Sequence, residues 1–309
     1  MAYGTGPGYL AGAPGYALLT DDARDGYPMM VTALNGSGYP GLAAYFRFAN
    51  GVWSDLPVTY GPGFCANSAL QYDATDGTVV YVAADHCPIA GSTWTYQGGT
   101  WTNRTTPAHP PARSFAQVAD DPSDGYLVLF GGRNVSLGSP AGYLNDTWTY
   151  ANGTWTNRSS VGVSPSGRFQ GAMAYDSTLS EVVLLGGCTV SPSYPCANDT
   201  WTYHAGSWSS VPTPGPTLPN YRTGGPRALA DDPADLGALA VLSANSSLDN
   251  ASSSTWFPWL WLFSGSTWSP LNYTGSPSTG SHPMATYASA LSSVLLFASP
   301  GSALTPPTT

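Results

Sequence analysis

A ten-residue aromatic hairpin recurs along this chain and dictates what the chain can fold into. It is clearest in residues 146–155, Asp-Thr-Trp-Thr-Tyr-Ala-Asn-Gly-Thr-Trp, and returns in 92–101, in 199–208 and, more loosely, in segments ending at Trp53 and Trp268. The closing residues Trp53, Trp101, Trp155, Trp208 and Trp268 lie 48, 54, 53 and 60 positions apart. A period of that size means stacked supersecondary units rather than one irregular domain.

Residues 113–157 show every part of the unit. Arg113 to Ala119 reads as an apolar strand (a), and Asp120-Asp-Pro-Ser-Asp-Gly125 as a turn leading into strand b at Tyr126–Phe130. Gly131-Gly132 ends that strand, and a variable loop leads to strand c at Thr147–Tyr150. Asn152-Gly153 is a strong hairpin signal that sets Tyr150 opposite Trp155. Composition agrees: there is no Lys, Glu181 is the one Glu, and 11 Trp and 19 Tyr accompany abundant Thr and Val. Strong helix formers are scarce, so the expected fold is all-β.

The units are expected at about 12–56, 65–103, 113–157, 168–210, 222–270 and 283–299, the last stopping after strand b. They make a propeller over 12–301, with an N-terminal extension at 1–11 and a Pro/Thr-rich tail at 302–309. Six blades with an incomplete last blade fit this count, with five or seven as alternatives. A strand ending in Gly131-Gly132 or Gly186-Gly187, then Asn-Asp-Thr-Trp-Thr-Tyr and a second Trp, resembles the kelch repeat in its divergent secreted archaeal and bacterial form. The double glycine becomes Thr32-Ala33, Ala83-Ala84, Ser243-Ala244 and Ala298-Ser299 elsewhere. The resemblance implies a propeller with strand a innermost and strand d outermost, and no single activity.

In such a propeller the b–c and d–a connections share one face. Cys65 with Cys87 and Cys188 with Cys196 each fall on that face within one unit, so these two local disulfides are expected among three connectivities. Zinc is the competing reading, but no Cys-x-x-Cys pair exists. Disulfides place the chain outside a reducing cytosol. Ten of 13 asparagines begin Asn-x-Ser/Thr sequons: Asn35, Asn103, Asn134, Asn145, Asn152, Asn157, Asn198, Asn245, Asn250 and Asn272. Surface N-linked glycans are therefore expected, all but the one at Asn152 on the same face.

Chemistry is sparse. The net charge of -9 and nine scattered Arg argue against nucleic acid, no apolar run is long enough to span a bilayer, and Met1 opens without a signal-peptide pattern. The chain reads as a segment excised from a longer precursor. Asp21-Asp22, Asp120-Asp121 and Asp231-Asp232 lack the ligand spacing of a calcium loop and suit turns. His86, His109 and His282 fall on the b–c and d–a face and are weighed as copper or zinc ligands against solvated loop histidines; His204 lies in a c–d hairpin. Some kelch-like propellers are copper oxidases, so the resemblance permits that idea. Arg113 and Arg168 hold equivalent positions and read as inter-blade hydrogen-bond donors. No cofactor and no catalytic residue are assigned. The expectation is a secreted or cell-surface N-glycosylated propeller with a binding, adhesion or assembly role, possible partners being neighbouring copies at the incomplete sixth blade. The alternative is an extracellular enzyme, either copper oxidase or glycan-active.

Overall fold

In the computed structural model, residues 2–3, 17–33, 42–58, 60–138, 141–159, 162–189, 196–213, 215–216, 228–233, 237–245, 256–271 and 284–297 are described. The chain is all-β, a propeller of small sheets. Strand β1 (Ala2–Tyr3) precedes five four-stranded antiparallel blades. Blade I comprises β2 (Ala17–Asp22), β3 (Tyr27–Ala33), β4 (Ala43–Ala49) and β5 (Val52–Asp55). Blade II comprises β6 (Ala69–Asp73), β7 (Thr78–Val82), β8 (Thr93–Gln97) and β9 (Thr100–Asn103). Blade III comprises β10 (Gln117–Asp121), β11 (Tyr126–Phe130), β12 (Thr147–Ala151) and β13 (Thr154–Asn157). Blade IV comprises β14 (Ala172–Asp176), β15 (Glu181–Cys188), β16 (Cys196–His204) and β17 (Ser207–Val211). Blade V comprises β18 (Ala228–Asp232), β19 (Gly237–Asn245), β20 (Trp256–Ser264) and β21 (Thr267–Pro270). Sheet VI has three strands: β22 (Met284–Ala288), β23 (Ser293–Phe297) and β1, which pairs parallel to β23 through Ala2↔Leu295 and Tyr3↔Leu296.

The innermost strands neighbour one another in a closed circle, β2–β6–β10–β14–β18–β22 and back to β2. A separate apolar core fills each of the six gaps between sheets. At the gap between blades III and IV, for example, Val128 and Phe130 meet Leu184, Tyr203 and Trp208. Each blade buries both faces against its neighbours, which removes the problem of a solvated sheet face.

The Trp hairpin forms the outer half of a blade, with Tyr150↔Trp155, Tyr96↔Trp101 and Tyr203↔Trp208 paired. Asn152 and Gly153 turn it with φ of 50° and 73°, the left-handed pair that a type I′ turn needs. The closing Trp reaches backwards. Nε1 of Trp155, Trp208 and Trp268 donates to the Thr hydroxyl at the head of the preceding blade's motif, Thr93, Thr147 and Thr200, at 2.9 Å each time. Tyr45 stands at this position in blade I, and there Trp101 Nε1 and the Tyr45 hydroxyl are both buried without a partner among the described residues.

Two sequence expectations need correction. Strand a of blade III begins at Gln117, not Arg113, because Phe115 takes a left-handed φ of 58° that interrupts an extended strand. In blade V the register sets Leu242-Ser243, not Ser243-Ala244, opposite the double-glycine position of other blades.

Turns at the hub alternate. Blades I, III and V end strand a in Asp-Asp, whereas Tyr72-Asp73, Tyr175-Asp176 and Tyr287-Ala288 end it in the others. The second Asp caps its own turn, as Asp121 Oδ1 does by accepting from Asp124 N at 3.2 Å. The first Asp latches the preceding sheet: Asp120 accepts from Ala74 N at 3.3 Å, Asp231 from Ser177 N at 3.1 Å, and Asp21 from Ser289 N at 3.0 Å.

Candidate functional site at the hub mouth

Immediately before strand a, three successive blades hold a residue other than glycine in the left-handed region: Asn67 (φ 65°), Phe115 (φ 58°) and Gln170 (φ 57°). Such a conformation costs of order 1 kcal/mol or more and collects where a site is pre-shaped. Phe115 N donates to Asn67 O at 2.9 Å and Gln170 N to Phe115 O at 3.4 Å, so the three make a continuous rim from blade to blade. They edge a cavity of about 370 Å³ lined by all six innermost strands, which is within the range of small-molecule pockets.

Both disulfides stand behind this rim. Cys65 joins Cys87 with a Cα–Cα distance of 6.0 Å, and Cys65 lies between Phe64, which lines the cavity, and the rim residue Asn67. Cys188, bonded to Cys196, exchanges both backbone hydrogen bonds with Phe169, the neighbour of Gln170. A polar bridge adds to the brace. Ser114 Oγ donates to Asp85 Oδ1 at 2.5 Å, His86 Nδ1 lies 3.1 Å from Ser114 Oγ, and Val135 N donates to Asp85 Oδ2 at 2.9 Å. Burial pushes the Asp85 carboxyl up, but the Ser114 hydroxyl, the Val135 N–H and His86 outweigh it and hold it below the ordinary carboxylate range. Serine, histidine and aspartate meet here in the wrong order for a nucleophile, since the buried Ser114 hydroxyl is directed at the carboxylate rather than at the imidazole.

Arg113 and Arg168 lie at the back of the same mouth, and their guanidinium groups act within a blade rather than between blades. Arg113 NH1 and NH2 reach Asp146 at 2.5 and 2.7 Å, and NH1 also donates to Gly131 O at 2.9 Å. Arg168 repeats this with Asp199 at 2.6 and 3.0 Å and with Gly186 O at 3.0 Å. Burial raises each Asp, yet the fork of charged donors and a Trp Nε1 from Trp148 or Trp201 pull both below the ordinary range. The inter-blade bond comes from the arginine backbone: Arg168 O accepts from Gly132 N at 2.8 Å. A Cβ on Gly131 would lie 2.7 Å from that carbonyl and one on Gly132 3.0 Å from Ser114 O, which explains the glycine pair in blade III.

Among the described residues the histidines do not assemble a metal centre. Among the described residues, the one group of three or more His, Cys or carboxylate donors is Cys65, His86 and Cys87, and both sulfurs are spent in the disulfide. His109 Nδ1 lies 2.8 Å from Pro110 O, His204 sits by Asp124, and His282 is outside the described residues. The Asp-Asp turns are capped and latched as above. Of the sequon residues, Asn103, Asn145, Asn152, Asn157 and Asn198 are exposed. Asn134 is half-buried and donates to Ala112 O at 2.8 Å. Asn35, Asn250 and Asn272 lie outside the described residues, as does the side chain of Asn245. No helix among the described residues is long and apolar enough to cross a membrane. The rim itself was invisible to pattern reasoning, because Phe and Gln carry no sequence sign of a left-handed conformation.

No family model matches the chain, and no curated protein matches it. Solved structures do. The structure of YjhT aligns over 80% of this chain and 82% of its own at 11% identity, with a TM-score of 0.52. A fungal alcohol oxidase of the AA5 family, in complex with copper, aligns over 89% of this chain and 68% of its own at 13% identity, with a TM-score of 0.51. At such identities the likeness is one of fold, and no group of three free His, Cys or carboxylate donors converges among the described residues here. The chain is similar to these proteins as a β-propeller.

Proposed function

We propose that this chain is a secreted or cell-surface glycoprotein whose propeller serves binding rather than catalysis, its ligand taken at the hub mouth. The observation that carries the reading is the cavity whose rim keeps three residues in a costly left-handed conformation with both disulfides behind them. A brace of that kind keeps a pocket formed in the absence of ligand, which lowers the ordering cost of binding. Two disulfides suit an oxidising location, and the exposed sequons at Asn103, Asn145, Asn157 and Asn198 support glycan attachment around the same face. The motif's resemblance to the kelch repeat fits a recognition module of this type. Screening a small-molecule library by thermal shift should yield binders whose effect vanishes in Phe115→Ala. Hits that persist unchanged in that variant would place binding elsewhere.

A second reading has its own observation. Among the described residues sheet VI shows no outer hairpin, and the two described residues of β1 pair with β23, so a strand edge there is available to another chain. The occupant that suits a surface or filament protein is a strand from a neighbouring copy. Sedimentation should show concentration-dependent assembly, and a strict monomer at the highest soluble concentration would sink this reading.

A further inference from the structure

We infer that the hub cavity selects an uncharged ligand with one apolar face and a hydroxyl-bearing edge, the chemistry of a neutral pyranoside, and excludes acidic analogues of the same shape. This rests on the binding reading above and names its ligand class. Three observations converge on it.

First, the described lining of the cavity contains no carboxylate, imidazole, guanidinium or ammonium group. Its polar members are amides and one hydroxyl. The buried guanidinium groups closest in sequence to the rim, those of Arg113 and Arg168, are already engaged bidentately. Among the described residues nothing there offers an anionic ligand a counter-charge, so it would be desolvated at a penalty that a neutral ligand avoids.

Second, the amides have unused capacity. Neither Asn67 nor Gln170 has a side-chain hydrogen-bond partner among the described residues, and Gln117 Oε1 is buried without one while its Nε2 donates to Phe115 O at 2.7 Å. A carboxamide both donates and accepts, as an alcohol does, so the half-buried Asn67 and Gln170 can each engage a ligand hydroxyl in either sense.

Third, the half-buried Phe115 ring and aliphatic side chains stand among the lining, while Phe64 is buried. They give an apolar wall against which the C–H face of a sugar ring can lie, while the amide rim meets its hydroxyl edge. A cavity of about 370 Å³ has room for a single hexose with some ordered water.

The test titrates the full chain with the methyl glycosides of glucose, galactose and mannose, with glucuronate, and with benzyl alcohol as a non-sugar amphiphile, read by saturation-transfer NMR. At least one neutral glycoside should bind, and glucuronate should bind at least tenfold more weakly. Gln170→Gly and Asn67→Gly should each weaken the glycoside tenfold or more without lowering Tm, because glycine accepts the left-handed φ at no cost. Glucuronate binding as tightly as the glycosides, or glycoside binding untouched by either glycine variant, overturns the inference. If benzyl alcohol alone binds, in a manner abolished by Phe115→Ala, the ligand class is wrong and the pocket reading stands. If no probe binds, both fall.

Discussion

Blades II and III face the same construction problem and solve it with different chemistry. In blade III, Arg113 sits four residues ahead of strand a and clamps Asp146 just ahead of strand c. Counting back from the paired strands, Cys65 occupies the arginine position in blade II and Ser92 the aspartate position. Trp94 Nε1 donates to Ser92 at 3.1 Å as Trp148 does to Asp146, but the clamp itself is gone and the Cys65–Cys87 disulfide ties the segment instead. The position is thus defined by its task, holding the entry to strand a against the end of strand b. An ion pair performs it through native-state contacts, whereas a disulfide does so chiefly by restricting the unfolded chain.

Breaking the clamp should have the largest effect. Arg113→Ala leaves Asp146 largely buried without its partner, and a loss of about 3–5 kcal/mol in denaturant unfolding is expected. Arg168→Ala should cost less, since the Asp199 side chain is 40% exposed against 23% for Asp146; equal losses would contradict the burial argument. Next in size is the covalent version. Loop-closure entropy gives about 3.4 kcal/mol for the 22-residue span of Cys65–Cys87 and about 2.5 kcal/mol for the 8-residue span of Cys188–Cys196. Paired Cys→Ser variants compared by urea unfolding would expose any reversal of that order.

Acid separates the two devices further. The carboxylates of Asp146 and Asp199 are held below the ordinary range, so their stabilisation is present above about pH 4 and is lost as pH falls through their folded values. The disulfide in blade II is indifferent over that interval. Hub carboxyls pull the other way. Burial, with the charge of Asp73 next, pushes Asp120 up to about 8, and burial also lifts Asp22, Asp73 and Asp231 to about 6. Groups raised in this way stabilise fully below about pH 4, and that stabilisation is lost as pH rises through 6 to 8. Stability should therefore peak near pH 4–5 and decline toward pH 8. Asp120→Asn should flatten the upper limb, seen in Tm against pH. An unchanged upper limb in that variant would remove Asp120 as its source.

The smallest effect distinguishes the two hairpins. Trp208→Phe discards an indole donor bonded to Thr147, whereas Trp101→Phe discards one that has no partner among the described residues. The first should cost about 1 kcal/mol more than the second.

Much of this was legible in the sequence. The Trp spacing located the outer hairpin of each blade, Asn152-Gly153 set its register, and sorting loops by face paired Cys65 with Cys87 and Cys188 with Cys196. Equivalence of Arg113 and Arg168 was visible too, but their partners were not. Asp146 and Asp199 lie more than 30 positions away, and only the closed blade shows that the guanidinium works inside it while the carbonyl works across the gap. The hub mouth was least legible. Its rim depends on backbone dihedrals at Asn67, Phe115 and Gln170; Asn suits the left-handed region in a local turn, whereas Phe115 and Gln170 are bonded there to the neighbouring blade.

The alternating hub turns have a consequence for parity. An Asp-Asp turn reaches back to a sheet that bears none, joining VI to I, II to III and IV to V. A circle built from such alternation closes without a defect only when the number of sheets is even. Five or seven would force two like turns to meet, leaving either one buried carboxylate with nothing to grip or one turn ungripped. The sixth sheet, with three strands among the described residues, keeps the count even, and a chain that gained or lost sheets would be expected to do so in pairs.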